Sequence, residues 1–156
     1  AMNLINEVLF SNSGRLTRLL QNDLTLVESI SGDGEMRKDP SLEIISTRLR
    51  KGASLTEVRD SIYSELRRIS ATVISAEELD RARNNLRARM IYGLNSPSRI
   101  ASSLGVNRVI TGNYRALMQL FELYASVSPE KIRSLASEVF IPTNRTVVTL
   151  VPKSGI

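Results

Sequence analysis

The sequence predicts an α+β fold, in which an antiparallel sheet of few strands is covered by several helices. Two observations predict this class. β-Branched runs lie near the beginning and at the end of the chain, and the residues between them place apolar side chains at helical spacing. Helices grouped between strands are typical of an α+β layer. The 156 residues, of which 42% are hydrophobic, fit one domain with one core.

The N-terminal region is predicted to form two helical segments and then a strand. Apolar spacing predicts a helix over Asn3–Phe10, and Ser11–Gly14 predicts a break before a second helical segment that ends near Asn22. Leu24–Ser31 has the composition of a strand. Gly32–Gly34, which follows it, predicts a turn.

Two further strands are predicted. The β-type run Leu42–Leu49 follows a Lys-Asp-Pro connection, so it is expected to pair antiparallel with the first strand across an irregular hairpin. The β-branched run Thr146–Val151 is bounded by prolines and predicts the last strand. Three strands are few for so many helices, so residues 1–156 are expected to form a single partial domain whose upstream strands are absent.

Capping signals place the helices between these strands. Ser54 and Ser75 each stand three residues before a glutamate, which is the capping-box pattern, and an amphipathic helix follows each serine. Pro97–Val109 and Tyr114–Ala125 predict two more helices. Ser128, followed by a proline, opens the last one.

The absence of two residue types limits the chemistry. The sequence has no histidine and no cysteine. Disulfides, thiolate nucleophiles, serine–histidine triads and histidine- or cysteine-based zinc sites therefore cannot be assembled from these residues alone. We expect no catalytic, cofactor-binding or metal site in this chain, and no enzyme activity from it alone.

The acidic residues are predicted to have structural roles. Glu77, Glu78 and Asp80 lie in the first turn of a helix, where carboxylates cap free amides and favour the helix dipole. Glu28 is expected on the solvent face of its strand. Gly32–Glu35 lacks the ligand spacing of a calcium loop and the lysine of a phosphate loop, which favours a hairpin turn.

The excess of arginine raises an alternative function. A net charge of +5 is compatible with a free-standing, arginine-rich helical interaction or nucleic-acid-binding module. Arg81, Arg83, Arg87 and Arg89, however, spread around most of one predicted helix instead of forming a stripe. We therefore expect no nucleic-acid partner. No run of residues is apolar and long enough to predict a membrane segment.

Several different local patterns follow one another along nearly the whole chain. Their order resembles that of the insulinase/pitrilysin family of zinc peptidases. The family includes mitochondrial processing peptidase and the core subunits of respiratory complex III. The patterns are Ser13–Leu20 with Leu24–Val27, Ser75–Leu86, Leu94–Leu104 with Gly112, Val127–Ile132 and Asn144–Val148.

The resemblance implies a role in a larger assembly. In this family two homologous domains pack into half a shell, two halves enclose a peptide chamber, and the earlier domain binds zinc through a His-x-x-Glu-His helix and a later glutamate. Because this chain has no histidine, zinc is implied only for the parent protein or a partner subunit. The chain is expected to be a non-catalytic, chamber-wall segment of a zinc metalloendopeptidase or of its inactive partner subunit.

The resemblance also implies the partners. They are a sister domain or subunit of the same family and a peptide substrate in the parent protein. Apart from the resemblance, a sheet edge left unpaired by the absent upstream strands predicts association with a second copy of the chain. Segments 24–31 and 42–49 are the candidates for pairing with an extended peptide. Some active members use an arginine and a tyrosine near the scissile bond, but the tyrosine position falls on Leu26 and the arginine position near Leu19, beside Arg18. Neither role transfers.

Overall fold

A computed structural model describes residues 1–34, 37–39 and 41–151. The described residues form a two-stranded antiparallel sheet and a set of helices, so the predicted α+β class is confirmed. None of the helices in these ranges is long and apolar enough to cross a membrane. The elements are α1 (Met2–Phe10), α2 (Arg15–Thr17), a π-helical turn (Arg18–Asp23), β1 (Val27–Gly34), β2 (Glu43–Leu49), α3 (Leu55–Ala71), α4 (Ala76–Gly93), α5 (Pro97–Thr111), α6 (Ala116–Ser126), α7 (Pro129–Val139) and a 3₁₀ turn (Pro142–Asn144).

The sheet pairs β1 with β2 in the predicted antiparallel sense. The register runs from Val27 opposite Leu49 to Gly34 opposite Glu43, with an irregularity at Glu28. Side chains of β2 alternate between a partly buried and an exposed face. This alternation is the pattern of a sheet with one face against a core and the other face in solvent.

The predicted turn at Gly32–Gly34 is wrong, because these residues lie within β1. Gly32 packs against the ring of Phe10, and a Cβ atom at this position would overlap that ring. Glycine is therefore required here for close approach of the strand to α1 and not for a turn. The strand also begins later than predicted, since the amide of Leu26 donates to the carbonyl of Leu20 and ends the preceding helical segment.

The predicted helix starts are confirmed by their caps. The hydroxyl oxygens of Ser54, Ser75, Ser96 and Ser128 each accept a hydrogen bond from the amide three residues later. Each bond satisfies one of the amides left free in a first helical turn, which typically stabilises a helix by about 1 kcal/mol. These local bonds fix where four of the helices begin.

Helix α1 is the centre of the core. Leu4, Ile5 and Leu9 of this helix are fully buried. One side of α1 contacts β1, while α4 and α7 also contact it and contribute Leu79 and Ile132 to the same core. The first helix thus joins the sheet to the helical layer.

The strand predicted at Thr146–Val151 is also wrong. These residues form no strand in the structure, and exposed fractions of their apolar side chains range from 57% for Val147 to 96% for Leu150. A β-branched composition favours a strand only where another strand is available for hydrogen bonding, and no described residue pairs with this run. The guanidinium of Arg145, 3.7 Å from the centroid of the Tyr63 ring, holds the start of the run against α3.

Candidate functional site

A buried ion cluster joins α2, α3 and α4. Arg15 donates from Nε and Nη2 to the two carboxylate oxygens of Glu78, both at 2.6 Å, and from Nη1 to Oε1 of Glu65 at 3.1 Å. Arg68 adds a second cation to Glu65, with Nε 3.0 Å from Oε2. The hydrogen bonding that Arg15 donates to Glu78 is the main cause that raises the pKa of Arg15. The side chains of Glu65 and Glu78 are only 8% and 14% exposed, so this cluster replaces their hydration.

The sequence did not reveal this cluster. The sequence predicts only a capping role for the Glu78 carboxylate. The amide of Glu78 does donate to Ser75 as predicted, but its carboxylate binds a residue 63 positions earlier. No local spacing signals a contact at that separation.

A second cluster lies between α1 and α4. Glu7, whose side chain is 3% exposed, accepts hydrogen bonds from Nδ2 of Asn85 at 3.0 Å and from Nη2 of Arg89. Together the two clusters attach α4 to the N-terminal helices. Their geometry is that of structural ion pairs, with each buried carboxylate facing an arginine.

These carboxylates do not form a zinc site. Zinc in a catalytic site takes three protein ligands, most often histidines, and the chain has none. Glu7, Glu65 and Glu78 are already bound by arginines. Within the described ranges there is no group of three or more histidine, cysteine, aspartate or glutamate residues that could hold a metal ion. The residues present therefore do not fit zinc.

The other acidic residues singled out in the sequence lie at the surface. Glu28 is exposed and forms an ion pair with Arg48, with 2.8 Å between Oε2 and Nε. Asp80 accepts from Arg83 at 2.6 Å, and Glu77 is exposed in the first turn of α4. The structure does not bring these carboxylates together into one site.

The four arginines of α4 point to different neighbours. Arg83 donates to the carbonyl oxygens of Tyr124, Ala125 and Val127, at the end of α6. Arg89 binds Glu7, and the Arg87 guanidinium lies 5.8 Å from the centroid of a phenylalanine ring on α6. Arg81 is exposed and lines a small cavity beside α1. Arg83 and Arg89 thus form bonds within the fold, Arg87 lies near an aromatic ring, and the four arginines form no continuous basic stripe.

The positions implied for catalytic assistance carry aliphatic side chains at the edge of the core. Leu19 and Leu26 are partly buried against it, and Arg18 is exposed. The π-helical turn places Arg18 and Leu19 side by side before β1 begins. Leucine can neither donate nor accept a proton, so these positions offer no group for acid–base chemistry.

Both strands of the sheet have an open edge. Within the described part of the chain, β1 and β2 pair only with each other. The exposed face of β2 carries Ile44, which is 54% exposed, and Leu42 just before the strand is 79% exposed. An open edge flanked by apolar side chains is the kind of surface to which an extended strand adds.

The chain resembles known proteins in its sequence and in its fold. Residues 1–86 match the family model described as the peptidase M16 inactive domain. No curated protein matches the chain. Among solved structures, the inactive peptidase domain of a protein assigned as a zinc protease from Bordetella parapertussis has a TM-score of 0.84 and 21% identity, and the match covers 97% of this chain and 82% of that one.

Two further structures have the same fold. A protein assigned as a zinc protease from Bordetella pertussis Tohama I has a TM-score of 0.80 and 20% identity over 97% of this chain and 84% of that one. A protease from Helicobacter pylori has a TM-score of 0.82 and 18% identity over 92% of this chain, which spans only 34% of the length of that protein. The expected family is confirmed: the chain belongs to the peptidase M16 inactive-domain family, the non-catalytic domain of insulinase-like peptidases.

Proposed function

We propose that this chain forms one wall of a peptide chamber by pairing with a family member that carries the His-x-x-Glu-His zinc helix. The observation that carries the proposal is the family membership of a chain that has no histidine and whose buried carboxylates are bound by arginines. Zinc and the attacking water would then belong to the partner, which is either another domain of the same protein or a separate subunit.

This chain would contribute a surface of fixed shape and the main-chain hydrogen-bonding groups of its strands. The ion clusters around Arg15 and Glu7 hold α4 rigidly against the N-terminal helices, and those helices support the sheet. A rigid sheet with an open edge can position an extended peptide by main-chain hydrogen bonds, without any proton transfer from its own side chains. The same open edges favour pairing with a second copy at high concentration.

Pairing is tested by sedimentation velocity on the chain mixed with the zinc-helix domain of the family from the same organism. We expect a 1:1 complex in the mixture. We also expect a concentration-dependent dimer of this chain alone, and a strictly monomeric chain would contradict that second expectation. If mixing the chain with the zinc-helix domain gives only the two separate boundaries at all concentrations, the pairing proposal fails.

The exposed apolar end of β2 provides a variant for the same experiment. Ile44→Lys places a charge on the outer face of the sheet, where Ile44 is 54% exposed, whereas Val109→Lys changes an apolar side chain on α5 that is 80% exposed. We expect the sheet variant to weaken complex formation more than the α5 variant. Equal effects of the two would show that the sheet face is not the pairing surface.

A further inference from the structure

A groove lies between α4 and α6, apart from the two ion clusters and from the sheet. Its volume is about 210 Å³. Its α4 wall is polar, and its α6 wall is mainly aromatic. The lining residues are Asp80, Arg83, Asn84 and Arg87 from α4, and Phe121, Tyr124 and Ala125 from α6.

The two walls are held at a fixed separation. Arg83 joins α4 to the end of α6 through three carbonyl oxygens, the shortest bond being 2.6 Å to Val127. The hydroxyl of Tyr124 accepts from Nδ2 of Asn3 at 2.8 Å, which fixes the orientation of this buried ring. The groove is therefore formed before any ligand enters, and the cost of ordering it on binding is small.

The charges divide the groove into two ends. The Asp80 carboxylate is neutralised by Arg83, at 2.6 Å. Arg87 lies two helical turns beyond Asp80 on α4, which is about 10 Å along the helix axis. It is exposed, its guanidinium stacks loosely at 5.8 Å from the centre of the Phe121 ring, and no described carboxylate forms an ion pair with it. The Arg87 end thus offers free N–H donors beside an aromatic surface.

The size and the charge together indicate the ligand. Sites for drug-sized molecules usually enclose roughly 300–1,000 Å³, so a groove of about 210 Å³ suits a single large side chain. An arginine next to an aromatic ring is complementary to a ligand that carries a carboxylate close to an apolar group. We propose that this groove anchors a peptide: an aromatic side chain contacts Phe121, and the carboxylate of an adjacent acidic residue binds Arg87.

This inference deepens the proposed function and rests on it for the source of the peptide. It specifies a substrate preference, namely an aromatic residue next to glutamate or aspartate. Peptide binding to this chain is measured without the zinc-helix domain. Failure of the anchoring proposal would therefore leave the pairing result unchanged, and failure of pairing would leave the peptide-binding result unchanged.

The test is an NMR titration of the isotopically labelled chain with two peptides that are blocked at both ends. One peptide contains a Phe–Glu pair and the other contains Phe–Gln at the same place. We expect the Phe–Glu peptide to bind roughly five- to tenfold more tightly and to shift the resonances of residues that line the groove. Arg87→Gln should abolish the difference between the two peptides.

A matched variant separates a specific site from general attraction to a basic protein. Arg67→Gln removes the same charge from an exposed position on α3, away from the groove, and should leave the fivefold to tenfold preference intact. Phe121→Leu should weaken both peptides alike, since it reduces the aromatic wall but keeps Arg87. The proposal is overturned if neither peptide binds, if wild type binds both equally, or if Arg67→Gln has the effect expected of Arg87→Gln.

Discussion

Arg15 joins α2 to both α3 and α4. It binds two carboxylates that are nearly buried, so its removal leaves Glu78 without its arginine and Glu65 with Arg68 alone. An unpaired buried carboxylate is costly, and breaking a buried pair from one side typically costs about 3 kcal/mol. We expect Arg15→Ala to lower the free energy of unfolding by about this amount in urea denaturation.

The control for this variant is an exposed ion pair. Arg59 and Asp60 approach to 2.9 Å with both side chains more than 40% exposed. Arg59→Ala should leave the free energy of unfolding nearly unchanged, because solvent screens exposed pairs. Equal losses from Arg15→Ala and Arg59→Ala would contradict a structural role for the buried cluster.

Replacement by alanine should change stability in opposite directions at two glycines. A Cβ atom at Gly14 would lie 2.6 Å from the carbonyl carbon and oxygen of Leu9, which are backbone atoms and cannot move aside easily. Gly14→Ala should therefore destabilise the fold by about 1–3 kcal/mol. Gly105 lies inside α5 with open space around it, so Gly105→Ala should stabilise by about 0.5–1 kcal/mol. Thermal unfolding that shows the same sign for both would refute this distinction.

At the scale of the elements, prediction from the sequence succeeded where the signal is local. The serine caps of α3, α4 and α7 and the proline at the start of α5 act within one helical turn, and the structure has helices at these places. It failed where a contact with a residue that is distant in the sequence determines the local structure. Gly32 is in a strand because it pairs with Ile45 of β2, and Thr146–Val151 forms no strand because no described strand pairs with it. The Arg15 and Glu7 clusters were missed for the same reason.

The run Thr146–Val151 provides a stability test. Leu150 is 96% exposed, so Leu150→Lys should change the free energy of unfolding by less than about 0.5 kcal/mol. Ile132 is fully buried on α7, and Ile132→Ala should cost about 2–5 kcal/mol. A loss of more than about 1 kcal/mol in Leu150→Lys would show that the run is packed in solution.

The outer end of the sheet should respond to pH. Burial raises the pKa of Glu43 above its ordinary value of 4.5, and Asp33 adds to the increase, while the hydrogen bond from Asn6 opposes it. The folded state therefore holds this proton more tightly than the unfolded state. The contribution of protonated Glu43 to stability is fully present below about pH 4.5 and is lost as pH rises through the folded-state pKa.

Glu43→Gln is the variant that checks this effect. Glutamine is neutral like the protonated acid and still offers an oxygen to Asn6. Relative to wild type, the variant should gain stability between about pH 4.5 and neutral pH, with no gain below that window. Urea midpoints that differ by the same amount at all pH values would contradict the assigned cause.

At the scale of the whole molecule, the chain is an α+β unit whose described strands have an open edge and whose sequence has no histidine or cysteine to bind zinc. Its family could be predicted from the sequence because the order of several weak patterns is specific even though each pattern is loose. The α4–α6 groove could not be predicted, since Phe121 and Arg87 are brought together only by helix packing.

The most direct test of the non-catalytic role is zinc-dependent hydrolysis of a quenched fluorescent peptide by the zinc-helix domain of the family, by this chain, and by the two together. We expect no hydrolysis by this chain alone and a large increase when it is added to the zinc-helix domain. Zinc-dependent hydrolysis by this chain alone, or full activity of the zinc-helix domain without it, would contradict the account.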